Sequence, residues 1–133
     1  MPIQVERSDF DPTVGFQYYL YFKPHMVEDG GDVRHRIPVE VAVSLSESGD
    51  IADCTFELPK NLRTDDAMAF LRRQEGVTYV APRLFIDFPG HNGDAVIQAA
   101  ANLELDLAGR IMGMELLWSP QGDASHFGTK SAN

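Results

Sequence analysis

One feature limits the fold of this chain more than any other: a strand, a glycine turn and a returning strand occur twice, sixty residues apart. In the first copy Val39, Val41, Val43 and Leu45 alternate with Glu40, Ala42, Ser44 and Ser46. That period of two marks a strand with one buried face. Glu47-Ser48-Gly49-Asp50 turns the chain, and Gly49 supplies the positive φ that a short hairpin needs. Ile51–Leu58 returns with Ala52, Cys54, Phe56 and Leu58 on one face. In the second copy Leu103, Leu105 and Leu107 alternate with Asn102, Glu104 and Asp106. Leu107-Ala108-Gly109-Arg110 turns, and Ile111–Trp118 returns with Met112, Met114, Leu116 and Trp118 on one face. Both copies change phase at the same place. The outgoing strand is apolar at odd positions, the returning strand at even ones, as a bulge at the turn would produce.

Upstream segments extend the match. The aromatic run Phe16–Phe22 has its counterpart in Arg83–Phe88, and each is followed by turn chemistry, Glu28–Asp32 in one copy and Pro89–Asp94 in the other. Each unit thus reads strand, turn, strand, glycine turn, strand. Ala95–Ala101 is ambiguous, because its alanines favour helix while the repeat assigns a strand. Between the copies the pattern predicts a helix over 65–75. Thr64 suits the N-cap, Asp65 and Asp66 the first turn, Arg72 and Arg73 the last, and Gly76 the C-terminal cap. Ala67, Phe70 and Leu71 would form its apolar face. The expected fold is therefore α+β: a mainly antiparallel sheet of two pseudo-repeated three-stranded units with one helix between them. It is expected as a single domain over 1–120, with repeat one about 9–59, a helical linker 60–78 and repeat two about 79–120. The polar stretch 121–133 reads as a flexible tail.

Asn102–Leu117 resembles the signature of the bacterial domain-of-unknown-function family 2283, whose short domains end in a similar strand, acidic glycine turn and return strand. Phe10-Asp11-Pro12 before Tyr18–Phe22 is similar to that family's opening segment. Leu107 and Ala108 stand where the family has acidic turn residues, and Asp53 in the first copy stands where the second has Gly113. The resemblance implies a tandem form of that β-rich fold and a bacterial source, and brings no activity with it.

Composition narrows the function classes. The formal net charge of −9, from 20 acidic and 11 basic residues, repels phosphate backbones. Arg34-His35-Arg36 and Arg72-Arg73 sit among acidic residues and read as solvated faces, so no nucleic-acid partner is expected. The longest strongly apolar run, Phe16–Phe22, is far shorter than the roughly 20 residues of a membrane span. With no leader-like segment at the start, no membrane association and a cytoplasmic location are expected. Cys54 is the only cysteine and alternates with core residues, which predicts an inert buried thiol.

Catalytic signatures do not emerge. His25, His35, His91 and His126 show no metal-binding spacing, so neither metal nor cofactor is expected. Asp29 and Asp32 flank Gly30-Gly31 without the remaining pattern of a calcium loop. No nucleophile elbow or phosphate loop occurs. Glu104 and Asp106 alternate with leucines and are expected to face solvent. The weak ligand-binding candidates are His91, Asp94 and His35. Tyr18-Tyr19-Leu20-Tyr21-Phe22 suggests a strand packed on both sides or an aromatic surface for a partner. These features predict a non-enzymatic binding or self-associating module, with no catalytic residue assigned. The alternatives are a small-ligand protein or enzyme with its site at the junction of the repeats, and an antitoxin-like acidic partner of a basic protein.

Overall fold

The computed structural model describes residues 3–10, 15–23 and 33–118. His25, Asp29, Asp32, His126 and the tail 121–133 lie outside them. Eight antiparallel strands form one sheet: β1 (Gln4–Phe10), β2 (Gly15–Tyr21), β3 (His35–Leu45), β4 (Ile51–Glu57), β5 (Val77–Val80), β6 (Arg83–Asp87), β7 (Ala95–Leu105) and β8 (Ile111–Trp118). Their order is β1-β2-β8-β7-β3-β4-β6-β5, and the sheet curls into a half-barrel.

Both glycine hairpins form at the expected offset. β3 pairs with β4 and β7 with β8, with bulges at Ser44/Leu45 and at Glu104/Leu105. Gly49 and Gly109 have φ of 88° and 84°. The two turns share their hydrogen bonds. Ser46 N–H donates to the Asp50 carbonyl at 2.8 Å, and Asp106 N–H to that of Arg110 at 3.0 Å. Exchanging β1 with β5, β2 with β6, β3 with β7 and β4 with β8 reverses the strand order onto itself. The pseudo-twofold axis runs between Glu40 and Ala100, which face each other at the middle of the β3–β7 pairing. Around it the copies interleave, since β2 of the first half pairs with β8 of the second and β6 of the second with β4 of the first. Ala95–Ala101 is strand, because β3 offers each of its seven residues a partner in register.

Two parts of the expected architecture are corrected. Each unit has four strands rather than three, with β1 and β5 as the sheet edges. The predicted α+β class gives way to a nearly all-β fold, and there is no α-helix among the described residues. Segment 60–73 consists of turns with two short 3-10 pieces, Lys60–Leu62 and Leu71–Arg73. Thr64 does act as a cap, its Oγ1 accepting from Ala67 N–H at 3.1 Å. A regular helix is interrupted there: the Ala67 carbonyl accepts from Ile111 N–H at 2.9 Å, and beyond it one helical bond, Arg72 N–H to the Met68 carbonyl at 2.9 Å, is followed by the tighter Arg73–Phe70 and Gln74–Leu71 bonds.

The concave face holds the core. Tyr18, Leu20 and Phe22 meet Val41, Val43, Phe56, Leu84, Ile86, Leu103, Met112 and Met114, each at most 1% exposed. Segment 60–73 plugs one end of this trough. Cys54 lies in the same core, where burial first, and then the charges of Asp53 and Asp87, push its thiol up to about 12. That keeps it protonated and inert, as its alternation with core residues suggested.

Candidate functional site

At the other end of the trough the described residues surround a cleft. There the inward side of β1 contributes Ile3, which precedes the strand, together with Val5 and Arg7. Tyr18 of β2, the strand partner of Arg7, lies beside them, and Asp50 at the hairpin turn and Ile51 at the start of β4 continue the lining. Glu75, Asp87, Phe88, Pro89 and His91 close the rim. The cleft has a volume of about 360 Å³, within the range that small ligands or a few side chains occupy.

The turn organises the polar groups. Tyr18 donates its hydroxyl to the Gly49 carbonyl. Arg7 Nη1 donates to the Ser48 carbonyl at 2.9 Å and lies 3.7 Å from Asp50 Oδ1. His91 Nδ1 stands 3.9 Å from Asp50 Oδ2. Asp50 is thus flanked by Arg7 and His91, while Glu75 and Asp87 add two further carboxylates. Ile3, Val5, Ile51 and Phe88 form an apolar floor. An apolar floor with a few convergent charges suits binding and orienting a ligand. Among the described residues no group of three or more His, Cys, Asp and Glu is placed to hold a metal ion.

The three candidates named from the sequence separate. His91 lines the cleft. Asp94 lies beside it on the same loop, exposed, with its amide donating to the Leu45 carbonyl at 2.7 Å. His35 starts β3 opposite Leu105, at the far end of the β3–β7 ladder, roughly 30 Å along the strand. Of the two basic clusters, Arg36 contacts Glu104 at 3.1 Å and Arg72 contacts Asp65 at 2.9 Å.

Sequence reasoning missed two carboxyl groups. Glu104 and Asp106, expected in solvent, are 1% and 3% exposed. Burial pushes the Asp106 carboxyl up, but donation from the Arg110 amide and guanidinium, with help from the Ala108 amide, brings it below its ordinary value. Arg110 binds Oδ1 through its amide at 2.9 Å and Oδ2 through Nε at 2.8 Å. The signal was present, since an aspartate at the first position of a Gly turn commonly accepts from the backbone. Glu104 is different. Arg36 Nε reaches only Oε2, and Oε1 is buried with no hydrogen-bond partner. Burial, and then the nearby charge of Glu115, push its carboxyl up to about 7. Glu115 itself is held by Gln17 Nε2 at 2.8 Å and Asn102 Nδ2 at 3.4 Å. Nothing in an alternating strand could have revealed this burial. Glu104 lies on the convex side and takes no part in the cleft.

Comparisons with protein-family models, with curated proteins and with solved structures find no match. No helix of the described residues is long and apolar enough to cross a membrane.

Proposed function

We propose that this protein is a non-catalytic binding module whose site is the cleft between β1, the Ser46–Asp50 turn and the β6–β7 loop. The observation that carries this reading is the combination of an apolar floor with Arg7, Asp50, Asp87, Glu75 and His91 converging on one opening. Three carboxylates against one guanidinium favour an apolar group that bears positive charge. Among the described residues of the cleft the one hydroxyl, on Tyr18, is committed to the Gly49 carbonyl. A ligand-observed NMR screen of small organic amines, acids and neutral fragments tests the reading. Amines with an apolar body should bind, and Val5→Trp, which fills the cleft from an exposed edge strand, should abolish their signals. Hits that ignore this substitution would refute it.

Self-association is a second reading, supported by the seven-residue edge strand β1. Unpaired edges template strand addition. Light scattering at high concentration tests it, and a monomer of 14.8 kDa throughout would exclude it.

A further inference from the structure

Segment 60–73 follows β4 and plugs one end of the trough. There Ile111 N–H donates to the Ala67 carbonyl at 2.9 Å, and Phe70 lies beneath the Arg110 guanidinium at 4.8 Å. Leu71 is fully buried and Gln74 Nε2 donates to the Phe22 carbonyl at 2.8 Å. The twofold relation turns Ile111 into Ile51, Arg110 into Asp50 and Phe22 into Phe88, and all three counterparts line the cleft. Matching backbone bonds support the equivalence: Phe22 N–H donates to the Met112 carbonyl at 2.8 Å and Phe88 N–H to the Ala52 carbonyl at 2.9 Å. The same relation turns β4 into β8. The chain that corresponds to the plug is therefore the chain that follows β8.

We propose, resting on the reading that the cleft is a binding site, that residues 119–133 of the same chain are its resident occupant, with Phe127 on the apolar floor and Lys130 among the carboxylates. Position supports this. Trp118, the last residue of β8, lies two residues beyond Leu116, whose strand partner Tyr18 lines the cleft and in turn pairs with Arg7. The chain thus leaves the sheet about 7 Å from the level of the cleft wall. A proline, which cannot donate to a ladder, follows each strand at the same distance: Pro59 after Glu57 and Pro120 after Trp118. Reach supports it too. The plug needs the nine residues from Leu58 to Ala67 to meet Ile111, and the same nine from Trp118 end at Phe127, opposite Ile51. The charges then match. Asp50, Asp87 and Glu75 converge on the cleft, and Lys130 follows Phe127 by three residues, while the one acidic residue of 119–133, Asp123, precedes it by four. An outside amine with an apolar body has the same chemistry and competes with this segment for the cleft.

A spin label tests this in the full chain. Cys54 is the only cysteine, and its buried thiol stays protonated, so a nitroxide maleimide reacts with Ser131→Cys alone. In an isotope-labelled sample the amide signals of Val5, Ile51 and His91 should broaden, while that of Ile111 at the plugged end stays sharp. Adding Phe127→Glu should remove the broadening and tighten amine binding by about tenfold, since a site taken up roughly nine-tenths of the time binds a competitor about tenfold more weakly. Cleft signals that stay sharp, or broadening that survives Phe127→Glu, overturn the proposal. Equal broadening from a nitroxide carried only by a second, isotope-silent copy overturns it as well, because the segment would then sit in a neighbour's cleft. The amine screen separates the failures: hits lost in Val5→Trp without broadening leave a small-molecule cleft that lacks this occupant, whereas broadening without hits keeps the occupant and removes the outside ligand.

Discussion

The turns Ser46–Asp50 and Asp106–Arg110 have the same backbone and opposite surroundings. Both place a glycine at positive φ, and both close with the same pair of backbone bonds. In the second, Asp106 and Arg110 clamp the turn from within, and Arg110 extends over Phe70 of the plug. In the first, Ser46 Oγ accepts the Asp50 amide at 3.1 Å, and the carboxylate of Asp50 faces Arg7, His91 and an open cleft. The second turn is backed by segment 60–73, the first by charged groups of β1 and the β6–β7 loop. The difference teaches that duplicated backbone geometry leaves the surroundings of each turn free to diverge.

The largest effect should come from breaking the sealed half. Leu71→Ala removes a fully buried side chain and should cost about 3 kcal/mol in urea unfolding, as buried leucine truncations do. A cost as small as that of Val5→Ala, on the exposed edge, would show that the plug is not a structural filling.

The two turn clamps come next. Asp106→Ala strips both Arg110 bonds from a buried site and should cost about 2 kcal/mol, while Ser46→Ala, losing two neutral bonds at a more exposed turn, should cost under about 1 kcal/mol. Equal losses would contradict the contrast between the halves.

The glycines sharpen it further. Gly49→Ala and Gly109→Ala should each cost about 1–2 kcal/mol for the left-handed backbone. A Cβ at 109 meets nothing within 4 Å, whereas one at 49 lies 3.0 Å from Arg7 Nη1. The arginine can swing aside, so stability should fall alike in both. Only Gly49→Ala should then alter binding in the cleft, measurable with the same amines.

The smallest effect is a pH dependence. Glu104 occupies the position equivalent to Ser44, which does not titrate. Its folded carboxyl holds a proton up to about 7, against an ordinary value of 4.5, so the folded state binds more protons between these values. Its contribution is fully present below about 4.5 and is lost as pH rises through about 7. Glu104→Gln, unable to ionise, should therefore gain stability relative to the parent between pH 5 and 8, read by thermal unfolding across that range. A difference that stays constant with pH would show Glu104 to be ionised throughout.

Part of this was legible beforehand. The alternation at Val39–Leu45 and Leu103–Leu107, with glycines at 49 and 109, specified both hairpins, their offset and the phase change that proved to be a bulge. His91 was named as a candidate only from its turn, and its neighbours in the cleft were not foreseen. Arg7 comes from an edge strand with little apolar signal, Asp50 from the hairpin and Asp87 from β6. Segment 65–75 had every local mark of a helix and still became a plug, because the Ile111 amide claimed its carbonyl.

By itself the sequence determined strand identity, turn positions and the twofold offset, since these follow from period-two alternation and from glycine's freedom at positive φ, both local properties. Only the tertiary structure decided that the halves interleave, that Glu104 and Asp106 are buried, and that segment 60–73 plugs one end of the trough. Those outcomes depend on which distant groups compete for the same amides and the same space, and no local pattern records that competition.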